Sequence, residues 1–106
     1  MSDISPLPID IHPWKASDNT YAGMTLHQWI YRFPNGYGAS VVRGQLTYGG
    51  DRGLYELGVI VFDGDQYQLT YDTPVTDDVL GWLTIPDVAA RLLQIAALPD
   101  EAGEPA

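Results

Sequence analysis

Residues Leu54–Phe62 read L-Y-E-L-G-V-I-V-F. Side chains alternate across a strand, so Tyr55, Leu57, Val59 and Val61 face one way and Leu54, Glu56, Gly58, Ile60 and Phe62 the other. Both sets are largely apolar, which marks an inner strand covered on both faces. Asp63-Gly64-Asp65 then supplies a tight turn, with glycine available for positive φ. In Gln66–Asp72, Tyr67, Leu69 and Tyr71 alternate with polar residues, predicting an outer strand with one wet face.

Upstream, Met24–Phe33 (M-T-L-H-Q-W-I-Y-R-F) is rich in β-branched and aromatic residues and stops at Pro34. Pro34-Asn35-Gly36 turns the chain into a strand over Gly38–Arg43, and Gly44–Gly53 is a glycine-rich connection. Turns at 34–37 and 63–65 predict an antiparallel meander of about four strands. Downstream the period changes. Thr76, Asp77 and Asp78 suit the start of a short apolar helical turn over Val79–Leu83. Thr84 caps a main helix over Ile85–Leu98, with Pro86 in its first turn and Asp87 closing a capping box. Its stripe of Val88, Ala89, Leu92, Leu93, Ile95 and Ala96 packs on the sheet, and Pro99 ends it. The fold class is therefore α+β: a meander, a helical turn and one C-terminal helix. Residues 1–20 read as an extended N-terminal arm, 21–98 as a single domain and 99–106 as a disordered acidic tail.

Composition narrows the function classes. The chain has 106 residues and no cysteine, so thiolate metal sites, thiol catalysis and disulfides are excluded. No apolar run approaches the roughly 18 residues of a membrane span, and no signal peptide is visible. The formal charge is −9, and eleven of the fourteen acids lie in residues 51–106 beside only Arg52 and Arg91. Such a charge repels nucleic acid and anionic membranes and attracts basic protein surfaces.

Reactive constellations are missing. His12 and His27 have no metal-ligand spacing, so no metal is expected. Asp63-Gly64-Asp65 lacks the remaining ligands of a calcium loop. Asp72, Asp77 and Asp78 have structural roles available as strand end and helix start. The glycine segments match neither a phosphate loop nor a hydrolase elbow, and no cofactor is expected. Among the aromatics, Trp29 or Tyr31, Tyr55 and Trp82 are expected in the core, which leaves Trp14, Tyr21, Tyr37 and Tyr48 for the surface.

Two stretches, F-P-N-G-Y-G-A-S-V-V-R (Phe33–Arg43) and Y-D-T-P-V-T-D-D-V-L-G-W-L (Tyr71–Leu83), with G-L-Y-E-L between them, resemble a group of small uncharacterised proteins of tailed bacteriophages. The resemblance implies a setting, the cytoplasm of an infected bacterial host, and carries no activity or functional residue.

The expected function is protein binding, with no enzymatic activity. In the phage setting it becomes inhibition of a host defence system, with carboxylates standing where DNA phosphates would. Asp63, Asp65, Asp72, Asp77 and Asp78, with Tyr37 and Tyr48, are the expected contact residues. The partner is a host or phage protein with a basic surface, and neither nucleic acid nor membrane is bound directly. The alternative is a structural or assembly protein, with an exposed hairpin edge available for homodimer formation.

Overall fold

The computed structural model describes residues 6–21, 23–44, 47 and 52–100. Among these residues six strands and one helix follow in order: β1 (Lys15–Tyr21), β2 (Met24–Arg32), β3 (Tyr37–Gly44), β4 (Tyr55–Asp63), β5 (Gln66–Leu69), β6 (Leu80–Leu83) and α1 (Ile85–Ala96). All pairings are antiparallel, in the spatial order β1-β2-β3-β4-β5. β6 also pairs with β4. The α+β class holds, with more strands than the four expected.

Two corrections account for the extra strands. Lys15–Tyr21, of which the residues up to 20 read as an extended arm, runs along β2 as an edge strand, from Lys15 opposite Ile30 to Tyr21 opposite Met24. An edge strand joined by main-chain bonds need not alternate, and K-A-S-D-N-T-Y does not. Among the other described residues of that arm, Leu7 is buried in the core and Ile9 and Ile11 pack against it. The second correction is Leu80–Leu83, expected as a helical turn, which is strand β6. The expected acidic tail lies outside the described residues from 101 onward.

The register separates the two faces of the sheet. Trp29, Val41 and Leu57 lie side by side on one face, as do Tyr31, Ala39 and Val59. α1 lies on this face across β3, β4 and β6. It buries Val88, Leu92 and Ile95 completely, each contributing about 1.5–3 kcal/mol. Leu93, placed in the stripe from sequence, is instead 63% exposed. Thr84 forms the expected capping box: its hydroxyl accepts from the Asp87 N–H, and the Asp87 carboxylate accepts from the Thr84 N–H at 3.0 Å. The other end of α1 is tied by Asn35, whose Nδ2 donates to the carbonyls of Ile95 and Leu98 at 2.9 and 3.0 Å. Asn35 thus joins the β2–β3 turn to the C-terminal end of the helix, adding a side-chain donor where the intrahelical ones run out.

The opposite face carries a smaller cluster of Ile30, Ile60 and Phe62. Gly38 is required here: a Cβ would collide with the Tyr31 carbonyl and the Phe62 ring.

Candidate functional site

β4 is the strand on which the site is built. One of its edges pairs with β3. The other is shared: β5 pairs with its C-terminal half, from Ile60 to Asp63, and β6 with its N-terminal part at Tyr55 and Leu57. The chain leaves that edge after β5 and returns to it at β6. Val75 packs toward the helix-side core, and Val79 sits beside Gly58 on the opposite face. The connection over residues 70–79 therefore wraps around the edge.

Four of the five expected carboxylates are exposed along this edge without a basic partner described for them. Asp63 ends β4, Asp72 follows β5, and Asp77 and Asp78 precede β6. Asp77 and Asp78 do not start a helix as expected. Thr76 makes a local turn instead, its hydroxyl accepting from the Asp78 N–H at 3.1 Å and donating to the Asp78 carbonyl at 2.8 Å. The Asp78 carboxylate accepts from the Val79 N–H at 2.7 Å.

Asp65 differs from the other four. The Arg32 guanidinium donates to Asp65 Oδ1 at 2.9 Å and to the Gly64 carbonyl at 2.7 Å. Arg32 also lies 4.5 Å from the Phe62 ring centroid and 5.5 Å from that of Trp14. Trp14 meets Phe62 edge-on at 5.4 Å, and Phe62 meets Tyr67 at the same separation. The arginine thus joins the N-terminal segment to the β4–β5 turn by stacking and charge together. Asp65 is 87% exposed, so the ion pair itself contributes about 0–1 kcal/mol.

The expected aromatic contacts fare differently. Tyr37 is no loop residue: it opens β3, is half-buried, and packs against the helix-side core. Tyr48 and most of the glycine-rich connection lie outside the described residues. Trp14 is 43% exposed. Trp82, expected in the core, is 54% exposed and stands at the same edge as the carboxylates. The pairing Tyr55–Leu83 and Leu57–Leu80 places one extra residue on β6, forming a bulge. Within it Trp82 has φ 60°, a left-handed conformation unfavourable for a bulky side chain. The Arg52 guanidinium lies 5.8 Å from its ring centroid. Tyr67, Leu69 and Tyr71 are also exposed. Sequence reasoning missed Trp82 because a bulge leaves no mark in a four-residue apolar run.

Two hollows flank β5. One, of about 370 Å³, is lined by Val61, Phe62, Asp63, Gln66, Tyr67 and Gln68. The other, of about 190 Å³, is lined by Ser40, Val42, Glu56, Gly58, Leu69 and Val79. Each has a single carboxylate in its lining, so neither pairs an acid with a base. His27 lies on β2 beside Trp29, with ring centroids 6.2 Å apart, and His12 is exposed before β1. Among the described residues no three His, Asp or Glu side chains gather as a metal set. No described helix is long and apolar enough to cross a membrane.

Among the described residues, two ionisable groups depart from their ordinary behaviour, and both are structural. Burial, with a smaller contribution from neighbouring Tyr55, pushes the Tyr31 hydroxyl up to about 12. The main-chain and hydroxyl donors of Thr84 hold Asp87 below the usual carboxylate range. No protein-family model, curated protein or solved structure matches the chain.

Proposed function

We propose that this chain acts by binding another protein, with the β5–β6 edge as its contact surface and a basic patch as its target. The observation that carries the reading is one edge combining exposed Asp63, Asp72, Asp77 and Asp78 with exposed Tyr67, Leu69, Tyr71 and Trp82. Aromatic side chains are common anchors of protein interfaces, and complementary charge speeds encounter and fixes orientation. Trp82 supports the reading further, because an exposed tryptophan in a strained conformation has little to gain from the fold alone.

Carboxylates spaced along an edge accept hydrogen bonds from arginine and lysine, the same groups that hold phosphates in nucleic-acid enzymes. In the phage setting implied by the sequence resemblance, the target is a host defence enzyme, and the protein inhibits it by occupying its phosphate-binding surface. Asp65 contributes least, because Arg32 already neutralises it.

The experiment is capture from bacterial lysate by the wild type and by a variant with Asp63, Asp65, Asp72, Asp77 and Asp78 all replaced by lysine. The reading expects the wild type to retain a basic nucleic-acid enzyme and the folded variant to lose it at least about tenfold. Equal retention contradicts it. The second reading, an assembly protein that pairs with itself, is favoured by the open edge of β5. A concentration-independent monomer in sedimentation removes it.

A further inference from the structure

We infer that β5 is a docking edge for an extended segment of the partner, added as a further strand and carrying basic residues at its ends. This inference rests on the protein-binding reading above and names what the edge recognises.

Main-chain geometry carries the first part. The Thr70 N–H donates to the Val59 carbonyl at 2.9 Å, and the Phe62 N–H donates to the Gly36 carbonyl on the β3 side. Antiparallel strands alternate hydrogen-bonded and non-hydrogen-bonded pairs. With Ile60 opposite Leu69 and Phe62 opposite Tyr67, Gln66, Gln68 and Thr70 point their main-chain groups at β4. Tyr67 and Leu69 point theirs outward, where no other described strand lies beside them. Two N–H and two C=O groups are thus set for an incoming strand. Every residue of β5 is exposed.

β5 is short, four residues, but the side-chain protections of an edge are lacking within it. Q-Y-Q-L contains no lysine, proline or charged side chain. The opposite edge of the sheet, β1, carries Lys15 and Asp18 within its span. The neutral stretch of β5 is preceded by Asp65, which Arg32 pairs, and by Asp63, and is followed by Asp72, all three exposed.

Those flanking charges select the occupant. A second copy pairing antiparallel through β5 would bring the acidic end of one strand near the acidic end of the other, and like charges at that range are unfavourable. A partner strand with lysine or arginine beyond each end meets opposite charge at both. Apolar side chains at its alternate positions lie beside Tyr67 and Leu69, which are 38% and 45% exposed.

The test is amide hydrogen exchange, read by NMR on the whole chain. The probe is a synthetic peptide of alternating valine and threonine with two lysines at each end. Exchange at Tyr67 and Leu69 is expected to slow at least about tenfold at saturating peptide, with β1 unchanged. The same peptide with glutamates for lysines is expected to bind at least about tenfold more weakly. Leu69→Pro removes an outward N–H at an edge position, where proline is tolerated, and should abolish the protection. Should that variant not fold, Asp63→Lys with Asp72→Lys, which leaves the main chain intact, should weaken the lysine peptide by about tenfold.

No slowing at Tyr67 and Leu69, slowing along β1 instead, or equal binding of the two peptides overturns the inference. So does slowing that follows protein concentration without peptide, which makes a second copy the occupant. If docking fails while the capture experiment keeps its charge dependence, the strand-docking inference falls and the acidic-edge reading stands. If capture loses its charge dependence while Tyr67 and Leu69 stay protected by peptide, the basic-target reading falls and strand docking stands.

Discussion

Tyr31 is completely buried and its hydroxyl has no hydrogen-bond partner among the described residues. A buried polar group without a partner costs about 1–3 kcal/mol. Tyr31→Phe removes the hydroxyl and keeps the ring, so urea unfolding at neutral pH should find the variant more stable by about 1 kcal/mol. The raised hydroxyl has a second consequence. The folded state keeps its proton to about 12, whereas an unfolded tyrosine loses it near 10. Between those values the folded state binds more protons, so stability falls as pH rises, by on the order of 2 kcal/mol in all. Tyr31→Phe should lack that share of the alkaline loss. An identical alkaline profile in both proteins contradicts this account of Tyr31.

Trp82 poses the opposite case, a large side chain held outside in an unfavourable conformation. Asparagine tolerates the left-handed region. Trp82→Asn should therefore stay within about 1 kcal/mol of wild-type stability while weakening capture of the target by about tenfold or more. A large loss of stability with unchanged capture would make Trp82 a structural residue.

At the scale of elements, α1 is fastened at both ends by residues outside it. Thr84→Ala removes the N-cap and should cost about 1 kcal/mol. Asn35→Ala leaves the Ile95 and Leu98 carbonyls without their side-chain donor and should cost about 1–3 kcal/mol by urea unfolding. Asp87 also gives the cap a pH dependence. Its carboxyl is held below the usual range by Thr84, so the stabilisation is complete above the ordinary aspartate value of about 3.9 and is lost as pH falls below it. Thr84→Ala should make the acid-side loss shallower, as an unfolding series from pH 7 to pH 2 would reveal.

The elements legible from the residues are those whose chemistry repeats along the chain. β4 is apolar on both faces, α1 carries cap, stripe and stop, and the Asn35-Gly36 and Gly64 turns use residues that accept positive φ. β1 was illegible because an edge strand held by main-chain bonds leaves no apolar alternation. β6 was misread because four apolar residues fit a helical turn as well as a strand, and its bulge depends on Tyr55 and Leu57 far upstream. The carboxylates of the edge were legible as charge. The neutralisation of Asp65 was not, because Arg32 reaches it from 33 residues away. Nor was the exposure of Trp82.

Across the whole molecule the charge is uneven, and the acidic half of the chain supplies one sheet edge. Attraction from exposed charges weakens as the screening length falls to about 3 Å at 1 M salt. The association rate with the target should accordingly drop steeply between 0.05 and 0.5 M salt, by about tenfold or more, with a smaller change in dissociation. Stopped-flow mixing at a series of salt concentrations measures this, and a salt-independent rate would leave the acidic edge without a role in encounter.

The most direct measurement is a hydrogen-exchange comparison of the whole chain free and bound to its captured target. The account predicts slowed exchange over residues 66–72 and 77–83, with 15–21 and the outer surface of α1 unaffected. Protection confined to β1 or to α1, with the β5–β6 edge exchanging as in the free protein, would contradict it.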